Sequence, residues 1–190
     1  MKALEQQILA EGQVLPGNIL KVGSFLNQQL DVAFLMEMGR EMARLFEGEG
    51  VTKVLTMEAS GIAIGVAAAA AFGVPAVFAK KHRSGNVGGE AYEVPIHSYT
   101  HGNDYTATVA KEYLSAEDRV LIVDDFLANG AALAGLFTMV RQAGAMAVGA
   151  AVAIEKGFQH GGDKLREEGY RVESLAIVDS MEDGNIRFRA

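Results

Sequence analysis

The sequence predicts an α/β fold in which a parallel, twisted sheet carries helices on both faces. Short apolar runs of strand length alternate along the chain with segments whose apolar residues recur every three to four positions. The short runs are continuously apolar instead of alternating, as in RVLIV at residues 119–123 after its first residue. Such runs are typical of strands that are buried on both sides, which is the situation in a parallel sheet.

Length, composition and charge disfavour or exclude several classes of protein. The chain has 190 residues, of which 49% are hydrophobic and 22% charged, so one globular domain over residues 1–190 is expected. Its 17 Lys and Arg against 24 Asp and Glu give a net charge of −7, which disfavours broad contact with nucleic acid or anionic membranes. The sequence contains no cysteine, which excludes disulfides, thiolate metal sites and cysteine nucleophiles. The start of the chain does not resemble a signal peptide, so a cytoplasmic location is expected.

The N-terminal part of the chain is expected to alternate between helix and strand after an irregular segment. Asp31 is a suitable cap for a helix whose apolar face contains Leu35, Met38 and Met42. The expected elements are, in chain order, a helix at 2–11, an irregular segment at 12–28, a helix at 31–47, a strand at 51–57, a helix at 61–72 and a strand at 75–79.

One uncharged stretch, Ala59 to Ala79, has 21 residues and is long enough to cross a bilayer. Nine of these residues are alanine, which gains little from contact with lipid, and glycines and a proline interrupt the stretch. We therefore interpret it as a loop, a buried helix of small residues, a turn and a short strand.

Residues 80–104 differ in character from the rest of the chain. They contain four glycines, a proline, three of the four histidines and the basic run Lys80 to Arg83, so a long functional loop is expected. His97 and His101 have a spacing that suits a metal only on a helix, and Pro95 indicates a loop, so no zinc site is expected. The elements expected after this loop are strands at 105–110 and 119–123, a helix at 131–143, a strand at 147–154, a helix at 159–168 and strands at 172–178 and 186–188.

Ligands of a parallel sheet bind beyond the carboxyl ends of its strands. Four of the expected strand ends are followed by polar, charged or glycine-containing segments. These segments are Glu58 to Gly61, Lys80 to Arg83, Asp124 to Ala132 and Glu155 to Gly157. We therefore expect the four segments to form one ligand site.

The most distinctive segment is VLIVDDFLANGAA at residues 120–132, where adjacent Asp124 and Asp125 follow an apolar strand and precede Asn129–Gly130 and an alanine-rich helix. Backbone N–H groups at a helix start bind anions, and nearby carboxylates bind sugar hydroxyls or a divalent cation, so the combination indicates a ribose phosphate. The alternative is that both aspartates cap the helix and face solvent, and that Asn129–Gly130 is a plain turn. Neither GxxxxGK[ST] nor GxGxxG occurs in the chain.

The segment VLIVDDFLANGAAL resembles the phosphoribosyl pyrophosphate motif of type I phosphoribosyltransferases, in which paired acids precede a Thr-Gly-x-Thr loop. The match departs at both threonines, which here are Asn129 and Ala132. The opening MKALEQQIL, the segment ILKVGSFLNQQLD and the ending YRVESLAIVDSMEDGNI are similar to the xanthine-using members of this family. The resemblance therefore covers almost the whole chain and implies transfer of a phosphoribosyl group to a purine.

The resemblance also implies roles for individual residues in binding phosphoribosyl pyrophosphate. Asp124 and Asp125 would hold the ribose and stabilise positive charge on it, and Lys81 would stabilise the leaving group. Two sets would bind the phosphates: Ala128, Asn129, Gly130, Ala131 and Ala132 at the 5′-phosphate, and Glu58, Ala59, Ser60 and Gly61 at the pyrophosphate. Mg²⁺ would be held mainly by the substrate, with no metal site made by the protein itself, and a homodimer is expected.

The purine would lie beneath a hood to which residues 1–30 contribute. By resemblance, Leu20, Asn27 and Lys156 would contact xanthine. Asn27 offers both a donor and an acceptor, as an oxo-purine edge requires.

Other interpretations of these segments remain open from the sequence. Ser60 would be an ordinary helix cap, Lys80 to Arg83 a solvated surface run, and Glu155-Lys156-Gly157 a helix-entry turn with a solvated ion pair. A non-catalytic regulator that senses phosphoribosyl pyrophosphate, or an enzyme for adenine, hypoxanthine or guanine, are the alternative functions. Release of pyrophosphate with each purine would discriminate among them.

Overall fold

The structure is a computed structural model and describes residues 1–81, 89–98, 103–182 and 185–189. The α-helices are α1 Lys2–Glu11, α2 Val32–Leu45, α3 Gly61–Phe72, α4 Ala131–Gln142 and α5 Gly161–Glu167. The strands are β1 Gln13–Leu15, β2 Ile19–Lys21, β3 Lys53–Met57, β4 Ala76–Ala79, β5 Ala91–Ser98, β6 Asn103–Ala110, β7 Arg119–Leu127, β8 Met146–Lys156, β9 Val172–Glu182 and β10 Asn185–Phe188.

A six-stranded sheet in the order β10-β9-β8-β7-β3-β4 forms the centre of the fold. Its strands pair in parallel except β10, which pairs antiparallel with β9. Successive residues of β7 point to opposite faces, so that Leu121 and Val123 pack with α1, α2 and α3 while Val120 and Ile122 pack with α4. The predicted α/β fold with helices on both faces is therefore confirmed.

Two helices on one face of the sheet approach each other closely. The Asp31 carboxylate starts α2 as predicted, because its Oδ1 accepts a hydrogen bond from Phe34 N at 3.0 Å. In the middle of α2, Gly39 lies against the backbone of α3: a Cβ on Gly39 would be 2.4 Å from the carbonyl oxygen of Ala67. The small residues that the sequence places in both helices thus allow their backbones to touch.

The expectation of a continuous loop over residues 80–104 is wrong for residues 91–98. This segment is strand β5, which pairs antiparallel with β6 from Ala91 and Ala110 onward. Val94 and Ile96 are buried on one face of the hairpin, where Ile96 contacts Gly135 of α4. The hairpin therefore forms because its apolar residues alternate and find a helix to cover them.

A single bridge joins the hairpin to the edge of the central sheet. Lys80 N donates to Thr108 O at 2.9 Å, and Thr108 N donates to Lys80 O at 2.8 Å. This bridge holds the start of the basic run against β6. His82 and Arg83 of that run, the glycines at 85 and 88, and His101 lie outside the residues that the structure describes.

The segment expected to be irregular at 12–28 also contains regular structure. β1 and β2 pair antiparallel over three residues each, and Gly17 and Asn18 make the turn with positive φ angles of 84° and 59°. A π-helical turn at Gly23–Asn27 follows. The strands are too short and too exposed to produce an apolar pattern, which is why the sequence did not indicate them.

Several boundaries differ from the predicted ones. β7 continues to Leu127 because it remains paired with β8, and β8 continues to Lys156 because it remains paired with β9. A 3₁₀ turn at Gly157–Gln159 precedes α5, which begins at Gly161. In the part of the chain that the structure covers, none of the helices has the length and hydropathy to span a membrane.

Candidate active site

A cleft of about 390 Å³ lies at the carboxyl ends of β3, β7 and β8. It is bounded by the N-terminal segment on one side and by the β5–β6 hairpin on the other. All of the predicted site residues line it except Ala59 and Gly61. The predicted residues in its wall are Leu20, Asn27, Glu58, Ser60, Lys81, Asp124, Asp125, Ala128, Asn129, Gly130, Ala131, Ala132 and Lys156.

The two residues outside the wall differ in position. Ala59 is exposed beside the cleft. Gly61 is buried behind it: a Cβ on Gly61 would lie 2.7 Å from Asp124 Oδ1 and 2.4 Å from Thr56 Oγ1. The start of α3 therefore packs so closely against Asp124 that position 61 has no room for a side chain.

The acidic pair is buried at the floor of the cleft. Asp124 is 7% exposed and Asp125 5%, and both still belong to β7, so the interpretation that they face solvent and cap α4 is wrong. Asp125 N donates to Asp124 Oδ1 at 3.0 Å. Burial raises the pKa of Asp124 well above that of an ordinary carboxyl, and the neighbouring charge of Asp125 raises it further.

Asp125 connects three segments that are distant in sequence. Its Oδ1 accepts a hydrogen bond from Ser60 Oγ at 2.9 Å, and its Oδ2 accepts one from Asn27 Nδ2 at 3.4 Å. Ser60 makes no side-chain cap to α3, so the interpretation of Ser60 as an ordinary cap is wrong. Asp125 thus links the loop after β3 and the N-terminal segment to β7.

The loop after β7 has the conformation that an anion site requires. Asn129 Oδ1 accepts a hydrogen bond from Ala131 N at 3.1 Å, and Gly130 has a φ of 88°, a left-handed conformation that favours glycine. The N–H groups in the first turn of α4 have no partner within the helix and point toward its N-terminus. Backbone donors and the helix dipole together favour a phosphate at this end of the cleft.

The loop after β3 and the lysine after β4 lie side by side. Lys81 N donates to Glu58 Oε1 at 2.7 Å, and Lys81 Nζ is 5.5 Å from the centre of the Tyr105 ring. The peptide bond between Glu58 and Ala59 is cis. Lys81 is therefore a component of the cleft wall instead of part of a fully solvated surface run.

Another part of the cleft wall comes from the N-terminal segment and from β8. Lys156 Nζ donates to the carbonyl oxygen of Asn18 at 3.1 Å and lies 5.8 Å from the centre of the Phe126 ring. Burial lowers the pKa of Lys156. Glu155 is fully buried and bonds to Arg166, so the interpretation of this segment as a turn with a solvated ion pair is wrong.

Further residues line the cleft that the sequence did not indicate. These are Met57, Ile96, His97, Tyr105, Phe126, Leu127 and Leu133. The alternation of Tyr92, Val94 and Ile96 was a signal for the strand that brings Ile96 and His97 to the cleft. Phe126 gave no signal, because only the tertiary fold aligns its ring with Lys156.

A divalent cation is compatible with this site only if the ligand supplies most of the coordination. Within the described residues, no group of three or more His, Cys, Asp or Glu side chains is placed to hold a metal. His97 lies on a strand and pairs with Asp104. Two buried carboxylates beside an anion site fit Mg²⁺, which binds proteins through one or two carboxylates together with phosphate oxygens and water.

Comparisons with known proteins agree with this geometry. The family model described as phosphoribosyl transferase domain matches residues 27–188. The chain is 52% identical over 188 residues to a xanthine phosphoribosyltransferase of Ruminiclostridium cellulolyticum, with 99% of each chain covered. It is also 52% identical to xanthine phosphoribosyltransferase 1 of Clostridium perfringens strain ATCC 13124, with 100% of each covered.

Solved structures of lower sequence identity share the fold. Adenine phosphoribosyltransferase from Thermoanaerobacter pseudethanolicus superimposes with a TM-score of 0.75 at 24% identity, covering 92% of this chain and 98% of that one. The Giardia lamblia enzyme in complex with 9-deazaadenine gives a TM-score of 0.75 at 22% identity, covering 92% and 96%. At this identity the likeness establishes the fold alone.

Proposed function

Because the chain belongs to the phosphoribosyl transferase family, we propose that it transfers the 5-phosphoribosyl group from phosphoribosyl pyrophosphate to xanthine. The products are xanthosine 5′-monophosphate and pyrophosphate, as in purine salvage. The observation that carries this proposal is the cleft, whose wall combines a buried acidic pair, a backbone anion site in the loop after β7, and the lysines Lys81 and Lys156. Full-length similarity to xanthine phosphoribosyltransferases supports the choice of base.

Asp124 and Asp125 are assigned to the ribose. Both are buried beside the loop that would hold the 5′-phosphate, so they face a sugar whose phosphate is bound there. Fixed carboxylates in a site of low dielectric stabilise positive charge that develops on the ring as the bond at the anomeric carbon breaks. Displacement through such a transition state needs no covalent nucleophile.

The 5′-phosphate is assigned to Ala128 through Ala132. The family threonines are replaced here by Asn129 and Ala132, so recognition depends on backbone N–H groups. The Asn129 side chain accepts the N–H of Ala131 and so fixes the shape of the loop.

The pyrophosphate is assigned to the loop Glu58, Ala59 and Ser60, with Lys81 beside it, whereas Gly61 is buried behind the cleft and contributes close packing of that loop. Lys81 is held at the cleft by its backbone bond to Glu58, and its ammonium group can neutralise charge on the departing phosphates. Mg²⁺ bound to the substrate's oxygens would supply further neutralisation of the leaving group. The loop after β3 and Lys81 would hold the pyrophosphate on the side of the ribose away from the purine.

The purine is assigned to the end of the cleft formed by Leu20, Asn27 and Lys156. Leu20 is buried and offers an apolar surface, whereas Lys156 offers a donor for a carbonyl oxygen of the base. Asn27 hydrogen-bonds to Asp125, so a residue assigned to the base is in contact with one assigned to the ribose. We further propose a cytoplasmic homodimer, which rests on the resemblance to this family.

The test is an assay of pyrophosphate release with purified protein, Mg²⁺, phosphoribosyl pyrophosphate and one purine at a time. We expect release with xanthine and much slower release with adenine, hypoxanthine or guanine. Faster release with another purine would overturn the choice of base. No release with any purine, together with tight binding of phosphoribosyl pyrophosphate in calorimetry, would indicate a sensor instead of an enzyme.

A further inference from the structure

An ion pair between buried Glu155 and partly exposed Arg166 lies outside the residues that line the cleft. Glu155 is fully buried near the end of β8, and its carboxylate accepts hydrogen bonds from Arg166 Nη1 at 3.0 Å and Nη2 at 2.7 Å. Ser174 of β9 donates a further hydrogen bond to the same carboxylate. A bidentate ion pair of this kind fixes both the distance between the two side chains and their relative orientation.

This ion pair determines where α5 lies. Arg166 belongs to α5, and its Nε also donates to the carbonyl oxygen of Val172 at 3.1 Å, so the end of the helix is bound to both β8 and β9. At the start of the helix, a Cβ on Gly162 would lie 2.1 Å from Glu155 Oε1. The carboxylate therefore contacts α5 near both its ends and leaves the helix little freedom to shift.

The first residue of α5 in turn lies against the loop that is assigned to the 5′-phosphate. Gly161 N donates to Ala128 O at 3.2 Å. A Cβ on Gly161 would be 2.2 Å from that same oxygen and 2.5 Å from Gly130 N. The start of α5 is thus the rear wall of the phosphate loop, in contact with the backbone on the side opposite the cleft.

We infer that Glu155 and Arg166 are positioning residues that set the affinity for the phosphoribosyl end of the substrate by fixing α5 behind the phosphate loop. This inference rests on the proposed function, which assigns the 5′-phosphate to that loop. Position matters more here than in a loop with hydroxyl side chains, because Asn129 and Ala132 leave recognition to the backbone. A small displacement of a fixed donor weakens binding and reaction strongly.

The test is to weaken the pair without leaving a buried charge unpaired. Arg166→Lys retains the positive charge but cannot form both hydrogen bonds. The double variant Glu155→Met with Arg166→Met removes both charges. We expect KM for phosphoribosyl pyrophosphate to rise on the order of tenfold in the double variant and less in Arg166→Lys, while KM for xanthine changes less than about twofold.

A second variant and a matched control separate positioning from general stability. Gly161→Ala leaves the ion pair intact but presses on the phosphate loop, so the same selective rise in KM is expected. Arg44→Met breaks an exposed pair with Glu41 on α2, and its kinetics should equal those of the wild type. The unfolding midpoint of each variant is measured by calorimetry.

Two outcomes would overturn the inference. One is a KM for phosphoribosyl pyrophosphate within about twofold of wild type in the folded double variant and in folded Gly161→Ala. The other is a parallel rise in both KM values, which a merely structural role produces. If the wild type releases no pyrophosphate, the proposed function fails; binding of ribose 5-phosphate by calorimetry to the same variants then still tests the loop, with the same selective loss expected.

Discussion

The two ends of the cleft are assembled in different ways. The end that we propose for the sugar phosphate comes from one continuous segment, Asp124 to Ala132, which leaves the sheet on β7 and enters α4. The end that we propose for the base is assembled from Leu20, Asn27 and Lys156, which lie on a short strand, a π-helical turn and the end of β8. Local sequence therefore determines one end, whereas the other depends on how distant segments pack.

The two ends also differ in the chemical groups they present. The phosphate loop offers backbone N–H groups, so its side chains can change as long as Gly130 keeps its left-handed conformation. The base end offers the side chains themselves: Asn27 and Lys156 carry specific hydrogen-bonding groups, and Leu20 provides an apolar surface. Substitutions should therefore act on different kinetic constants at the two ends.

The largest effect is expected at the junction of the two ends, from Asp124→Asn. Asparagine can still accept the N–H of Asp125, so the fold should persist, but the negative charge beside the ribose is lost. We expect kcat to fall on the order of 100-fold, since one fixed electrostatic stabiliser commonly contributes about 3 kcal/mol. Steady-state kinetics measure this, with the exposed Glu37→Gln as a control. A kcat close to that of wild type would remove Asp124 from the proposed role.

The next largest effect is expected at the base end, from Lys156→Ala. Loss of one hydrogen bond from a charged donor should raise KM for xanthine on the order of 30-fold. KM for phosphoribosyl pyrophosphate should change by less than about twofold, because the phosphate loop is unaltered. Lys164→Ala, at an exposed position of α5, is the matched control. A larger change for phosphoribosyl pyrophosphate than for xanthine would place Lys156 outside the base site.

A smaller effect concerns stability instead of rate. Burial and the charge of Asp125 raise the pKa of Asp124, so the folded protein holds a proton there to higher pH than the unfolded chain does. Stability from this group is thus present at acid pH and is lost as pH rises from the usual carboxyl range through the raised pKa. Calorimetry of the ligand-free proteins should show a higher midpoint for Asp124→Asn at about pH 8, with a smaller difference at about pH 5. A difference that stays the same across this range would contradict the assignment.

The smallest effect is expected from restoring a family threonine, Ala132→Thr. A hydroxyl added to a loop that already binds through its backbone should lower KM for phosphoribosyl pyrophosphate by no more than about threefold. KM for xanthine should not change. A much larger gain, on the order of 30-fold, would mean that side chains and not the backbone dominate recognition at this end.

The same contrast explains which features the sequence predicted. The acidic pair and the loop were predictable because an apolar strand, two carboxylates and Asn129–Gly130 are contiguous. The contact between Asn27 and Asp125 was not predictable, because the two residues are 98 positions apart and Asn27 has no local pattern that indicates a partner. Resemblance to a family, and not local chemistry, supplied the residues of the base end.

The error in the fold has a similar cause. Residues 91–98 contain Pro95 and lie in a segment rich in glycine and histidine, which favoured a loop. The alternation of apolar residues in this segment produces a strand only because β6 pairs with it and Gly135 of α4 packs against Ile96. Similarly, the sequence predicted that the strand ends before Asp124, but Asp124 pairs with Val152 of β8 and belongs to β7.

The contact between Gly39 and Ala67 links the cleft to α2, a helix that contributes no residue to the cleft wall. α3 begins at Gly61, against the first aspartate, so a shift of α3 also moves the residue that packs against Asp124. A single methyl group at position 39 would press α3 away from α2 and disturb the alignment of Gly61. A random-mutagenesis screen for inactive proteins should therefore recover position 39 together with cleft residues, even though it lies on the outer layer of the fold.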